Sequence, residues 1–217
     1  MYSPLISACE VGNESIVTLL IGSGANVHKT THDSSPLISA CKGGNESIVT
    51  LLINKGADID QSTHRHSPLT AACQVGNESI VSLLIDKGAD HNQTTYRHSP
   101  LTAACKSGSK IIAMLLIDKG ADVNKTTQVY SPLISACTDG NESIVKLLID
   151  KGANVIQTVE MFSQGSSPLI AACGGGHLRI VDLLINNGAD VNKKTQYNSP
   201  LISACKANNE STVTLLI

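Results

Sequence analysis

The sequence predicts an all-α repeat solenoid, made of helix-turn-helix pairs joined by loop or β-hairpin fingers. Two registers carry that prediction. All seven prolines (Pro4, Pro36, Pro68, Pro100, Pro132, Pro168 and Pro200) share one local context, at spacings of 32, 32, 32, 32, 36 and 32 residues. All seven cysteines (Cys9, Cys41, Cys73, Cys105, Cys137, Cys173 and Cys205) lie five residues after a proline. Fixed self-similarity at such a period is the signature of a stacked array. Composition agrees: aromatic residues make up 2% of the chain and tryptophan is absent, so the core is assembled from small aliphatic units.

The units fall at about 2–33, 34–65, 66–97, 98–129, 130–165, 166–197 and a truncated 198–217, within one domain spanning 1–217. In the stretch 35–66, Ser35 is placed as a helix N-cap, and Pro36 suits the first helical position, where its missing N–H costs nothing. Leu37, Ala40 and Cys41 recur at i, i+3, i+4, which gives a short first helix that Gly43-Gly44 ends. Asn45 can cap a second helix, with Glu46 near the positive end of its dipole. Ile48, Leu51 and Leu52 form its apolar stripe, and Gly56 closes it. The rest, "ADIDQSTHRH", is polar and aperiodic and reads as a finger leading to the next Ser-Pro. One unit cannot bury its own stripe, so neighbours must stack, and stability becomes a sum of unit and nearest-neighbour terms.

The stretches "SPLTAAC" (67–73), "GHLRIVDLLINNGADVN" (176–192) and "GNESIVKLLIDKGANV" (140–155) resemble the ankyrin repeat, and the resemblance covers the whole chain. It implies antiparallel helix pairs with fingers projecting sideways, and a role in binding proteins on the concave face formed by fingers and first helices. The unit here has 32 residues where the family has 33. The missing residue falls in the finger, whose turn is therefore expected to differ. Ile or Thr replaces the family's His after Pro-Leu, and Asn208 stands where other units have Gly between the helices. The first and last units lack the polar sequence of capping repeats, so the chain is expected to be a segment of a longer array.

Net charge is −2, which gives no general pull towards nucleic acid. No apolar run approaches the roughly 18 residues of a membrane span. No nucleophile–base pair, unique carboxylate pair or phosphate-cradling loop is present, so neither an enzyme nor a cofactor is expected. Cysteines without a Cys-x-x-Cys spacing are expected as buried free thiols, which suits a reducing, cytoplasmic compartment and a monomeric segment. The repeated Asn-Glu-Ser triplets are read as helix caps at Asn13, Asn45, Asn77, Asn141 and Asn209, in preference to glycosylation acceptors.

The candidate partner-binding residues lie in the fingers. Stacking places His32, His64, Tyr96 and Gln128 in one row, Asp33, Arg65, Arg97 and Val129 in a second, and Ser34, His66, His98 and Tyr130 in a third. The resemblance adds Lys106, just after a conserved-register cysteine, at a position the family commonly varies. A zinc site from His64, His66 and His98 is conceivable, but no metal is expected. A basic, aromatic-edged patch for an acidic partner stands beside the alternative of a merely solvated edge, and histidine protonation below pH ~6.5 would strengthen the patch. The fifth finger holds the one four-residue insertion, "VIQTVEMFSQGSSP". Val159, Met161 and Phe162 are expected near its tip, with Met161 and Phe162 either contacting a partner or packing internally. A mechanical spacer that binds nothing tightly is the alternative function.

Overall fold

The computed structural model describes residues 3–159 and 165–217. Among them it forms seven helix pairs. The first helices are α1 (Pro4–Val11), α3 (Pro36–Gly43), α5 (Pro68–Val75), α7 (Pro100–Ser107), α9 (Pro132–Thr138), α11 (Pro168–Gly174) and α13 (Pro200–Lys206). The second helices are α2 (Glu14–Gly22), α4 (Glu46–Asn54), α6 (Glu78–Asp86), α8 (Lys110–Asp118), α10 (Glu142–Asp150), α12 (Leu178–Asn186) and α14 (Glu210–Leu216). First helices pack closely on one another along the array, and second helices touch their neighbours more sparsely. Each pair also packs internally, so one continuous core runs along the stack.

The predicted caps explain where the first helices begin. Ser35, Ser67, Ser99, Ser131, Ser167 and Ser199 each accept a hydrogen bond from the amide three residues on, all at 3.2 Å. Pro occupies the first helical position throughout. At Thr70 the hydroxyl accepts from the Ser67 amide at 2.7 Å, which completes a capping box. The turn between paired helices needs a left-handed residue. Gly44 supplies it at φ 70°, and Asn208 takes the same role at φ 53° in the last unit, as asparagine tolerates better than most residues.

The six cysteines from Cys9 to Cys173 are buried and free, as the sequence implies, whereas Cys205 on α13 faces solvent. Burial pushes the Cys9 and Cys173 thiols up to about 12, and raises Cys41, Cys73, Cys105 and Cys137 as well. These side chains are therefore neutral, small hydrophobes.

The asparagines before the second helices do more than cap. Asn45 accepts from the Ile48 amide at 3.0 Å and donates its amide to the Gly12 carbonyl of the preceding unit at 3.2 Å. Asn77 and Asn209 repeat both bonds. Each such residue starts its own helix and ties it to the previous turn. Asn141 departs from the expectation: its side chain makes no cap and donates to the Cys105 carbonyl at 2.9 Å. The Cys105 carbonyl takes no Gly amide, unlike those of Cys41 and Cys73. The Cys9 carbonyl lacks that bond too while Asn45 still caps, so the open carbonyl alone does not set the choice. His177 makes the corresponding cross-unit contact, with its Nε2 3.2 Å from the Thr138 carbonyl oxygen.

The two jobs of Asn45 can be separated. Asn45→Ala is expected to cost about 1–3 kcal/mol, the sum of a cap and a hydrogen bond. Asn45→Ser should cost roughly half as much, since Ser109 already caps α8 without a cross-unit bond. Urea titrations of the two variants give the difference, and equal losses would show that the cross-unit bond contributes nothing.

Candidate protein-binding surface

The fingers are closed loops held by threonine hydroxyls. The Thr31, Thr63, Thr95, Thr127 and Thr195 amides donate to the carbonyl three residues on, at 2.8–2.9 Å. The same hydroxyls accept the returning amides of Ser34, His66, His98, Tyr130 and Asn198. The hydroxyl thus replaces the second bond of a hairpin pair, as Thr does in turns. This is the turn chemistry that the 32-residue unit uses in place of the family's hairpin.

The fifth finger differs in a telling way. Val159 stands where the others have Thr, and it cannot accept a hydrogen bond through its side chain. Val159 and Ser166 instead exchange both backbone bonds at 2.9 Å, forming an isolated antiparallel bridge. Two residues separate the closing pair in the other fingers and six do so here, so the insertion lies inside this bridge. Met161 and Phe162 lie outside the described residues. Val159, expected near an exposed tip, is buried, as is Thr95 at the equivalent position, because this residue sits at the base of the finger where the loop closes.

Below the tips, carboxylate and amide side chains couple successive fingers. Asp60 Oδ1 accepts from the Asp90 amide at 2.9 Å, Asn92 from Asp122 at 2.9 Å, and Asn124 from Asn154 at 2.8 Å. Gln93 Nε2 donates to the Asp60 carbonyl at 2.8 Å. Sequence reasoning passed over this ladder, although the alternation Asp58/Asp60, Asp90/Asn92 and Asp122/Asn124 was its visible signal.

On this frame the expected rows form. In the outer row His64 sits 6.4 Å from His32 and stacks on Tyr96 at 4.8 Å with 27° between the rings. In the middle row Arg65 lies 3.6 Å from Asp33, Arg97 is exposed, and Val129 is buried. In the inner row the His98 and Tyr130 rings stack nearly parallel, at 3° and 5.9 Å. Lys106 Nζ stands 6.0 Å from the Tyr130 ring centre, and its chain is exposed. The structure thus brings Arg97, His98, Lys106 and Tyr130 together, while His64 and Tyr96 occupy a separate row.

Protonation is the point at which the expectation fails. His98 is only 4% exposed, and desolvation, then Lys106, His66 and Arg97, pull it down to about 4. His66 falls to about 4 as well, through desolvation and then Lys42 and Arg65, with Asp33 and Gln74 opposing. Neither ring gains charge just below pH ~6.5, so the positive charge here belongs to Lys and Arg.

One feature of the convex side has no counterpart in the other units. In α8, Ile111 and Met114 replace polar residues and remain exposed.

Among the described residues no helix is long and apolar enough to cross a membrane. The family model for ankyrin repeats matches in three copies, over residues 5–95, 91–159 and 156–217. No curated protein matches the chain. The chain is similar in structure to the human ASB11 ankyrin repeat domain, with 29% identity and a TM-score of 0.80 over 100% of this chain and 98% of that one. Repeats of this kind are in general protein-interaction modules. Matched along nearly its whole length, with seven stacked helix pairs and one shared core, the chain belongs to the ankyrin repeat family.

Proposed function

We propose that this chain is a protein-binding module whose concave surface, made by the fingers and first helices, captures a segment of another protein. The observation that carries this reading is the ordered row His98–Tyr130 with Lys106 over the ring and Arg97 exposed beside it. Stacked, hydrogen-bonded fingers hold these side chains with little freedom to lose on binding, which favours recognition. Tyr and Arg are also the residue types that dominate binding energy at interfaces.

The test is selection from a random peptide library, followed by affinity measurements on purified peptides. A triple variant, Arg65→Ala, Arg97→Ala and Lys106→Ala, changes only exposed side chains. It is expected to lose tenfold or more in affinity while its thermal melt stays within about 2 °C. A spacer would select no peptides, or bind them equally well with the three residues removed.

A further inference from the structure

We infer that the segment held by the concave surface is a short acidic stretch of a partner protein, about six residues long, lying across units two to four on Lys42, Arg65, Arg97 and Lys106. This rests on the protein-binding reading above and adds the chemistry of the ligand.

Charge placement along the array is the first support. The concave positions after the first-helix cysteines and at the finger tips carry Glu10 and Asp33 in the first unit. Lys42, Arg65, Arg97 and Lys106 follow, and then Asp139 in the fifth unit. Cations therefore occupy the middle of the surface and carboxylates bracket it. Among the described residues Lys42, Arg97 and Lys106 make no ion pair, and Arg65 meets only exposed Asp33 at 3.6 Å. These cations belong to one electrostatic environment: Lys42 and Arg65 both act on His66, and Lys106 and Arg97 both act on His98. Lys42 also feels the carboxylates of Glu10 and Asp33, and Arg65 that of Asp33. Among the described residues Arg97 and Lys106 have no carboxylate within ion-pair distance, and an acidic ligand supplies the missing counter-charge.

Buried polar atoms are the second support. His66 Nδ1 and His98 Nδ1 are both buried without a hydrogen-bond partner, between the Lys42/Arg65 pair and the Lys106/Arg97 pair. Such atoms are uncommon in folded proteins and call for an explanation at the site where they occur. Both rings are neutral near pH 7, because burial disfavours the imidazolium. Enclosed as they are, these atoms meet a ligand carboxylate only when binding turns the ring outward, and a neutral ring with its proton on Nδ1 then donates to it.

Spacing sets the length. Neighbouring helices pack about 8–10 Å apart, so Lys42 and Lys106, two units apart, are separated by roughly 20 Å. An extended chain covers that span with about six residues, at ~3.3 Å each. The flanking Glu10 and Asp139 disfavour a longer acidic run and favour basic or neutral residues at both ends of the ligand.

The probe is a fluorescein-labelled peptide of six glutamates between two lysines, compared by anisotropy with the same peptide carrying six glutamines. The glutamate peptide is expected to bind at least tenfold more tightly, with affinity falling as salt rises. Lys42→Glu, Arg97→Glu and Lys106→Glu together should reduce its affinity tenfold or more. A control with the same change in charge elsewhere, Lys119→Glu, Lys146→Glu and Lys151→Glu, should reduce it less than threefold. Equal binding of the two peptides, or equal loss in the two variants, overturns the inference. If library selection instead yields neutral peptides displaced by the Arg65, Arg97 and Lys106 replacements, the concave binding surface stands and the acidic ligand falls. If selection yields nothing and the glutamate peptide does not bind, both fall.

Discussion

Leu84→Ala is expected to destabilise the protein by about 2–5 kcal/mol, the range found when a fully buried leucine is truncated and the cavity cannot collapse. Leu84 lies in the last turns of α6 and is 0% exposed. It belongs to a run of equivalent buried leucines with Leu52, Leu116, Leu148 and Leu184. Because each unit touches only its neighbours, the damage should depend on position. A lesion in the third unit weakens contacts on both sides, and the urea transition should broaden as well as move to lower concentration. Leu216, the equivalent residue in the last helix, is only partly buried, so Leu216→Ala should cost clearly less. Circular dichroism through urea titration measures both variants, and equal losses at the two positions would contradict nearest-neighbour stacking.

Stability is also expected to fall as pH drops from about 6.5 towards 4, ahead of ordinary carboxylate titration. The unfolded chain binds a proton on each histidine near pH ~6.5. In the folded chain His66 and His98 resist protonation until about 4, held there chiefly by burial. Between those values the unfolded state carries more protons, so stability decreases with falling pH and levels off once the folded rings also titrate. For nearly buried His98 the loss by pH 4 is on the order of 3 kcal/mol, since a tenfold difference in proton affinity is worth about 1.36 kcal/mol and the folded ring is only half protonated there. His98→Phe keeps a ring against Tyr130 and removes the titrating group, so its melting temperature should depend less on pH over this window. An unchanged pH profile in that variant would show that His98 is readily protonated in the folded state.

Much of the fold was legible because the helices are governed by local rules repeated seven times. Ser-Pro starts, left-handed glycines and apolar stripes each answer to residues within one unit, and repetition averages out exceptions such as Lys110 for Glu. The finger rows were legible too, since a constant period places residue 64 beside residue 96 whatever the turn. What the sequence hid were contacts whose partner is a backbone atom of another unit. Asn45 looks like a cap because its own helix follows it, and nothing in the letters shows that its other amide atom reaches Gly12. Asn141 misled for the same reason, since its side chain gives its amide to the Cys105 carbonyl of another unit. The histidine expectation failed because the sequence gives a ring's ordinary titration but not its burial, which arises only when the next unit stacks Tyr130 on His98.

Threonine-locked fingers also explain where this array can accept foreign sequence. In five fingers a hydroxyl fixes the spacing between the residues that close the loop, so extra residues would break that bond. At Val159 and Ser166 the lock is made of main chain alone, and it constrains only the distance between two strand-paired residues, about 5.5 Å between their Cα atoms. A peptide whose ends meet at that separation can close the bridge, provided a small residue stays at 165, where a Cβ would come within 3.0 Å of the Thr195 side chain in the next finger. The fifth finger is therefore the array's natural splice point, a socket for loops of different length and chemistry on an otherwise invariant frame.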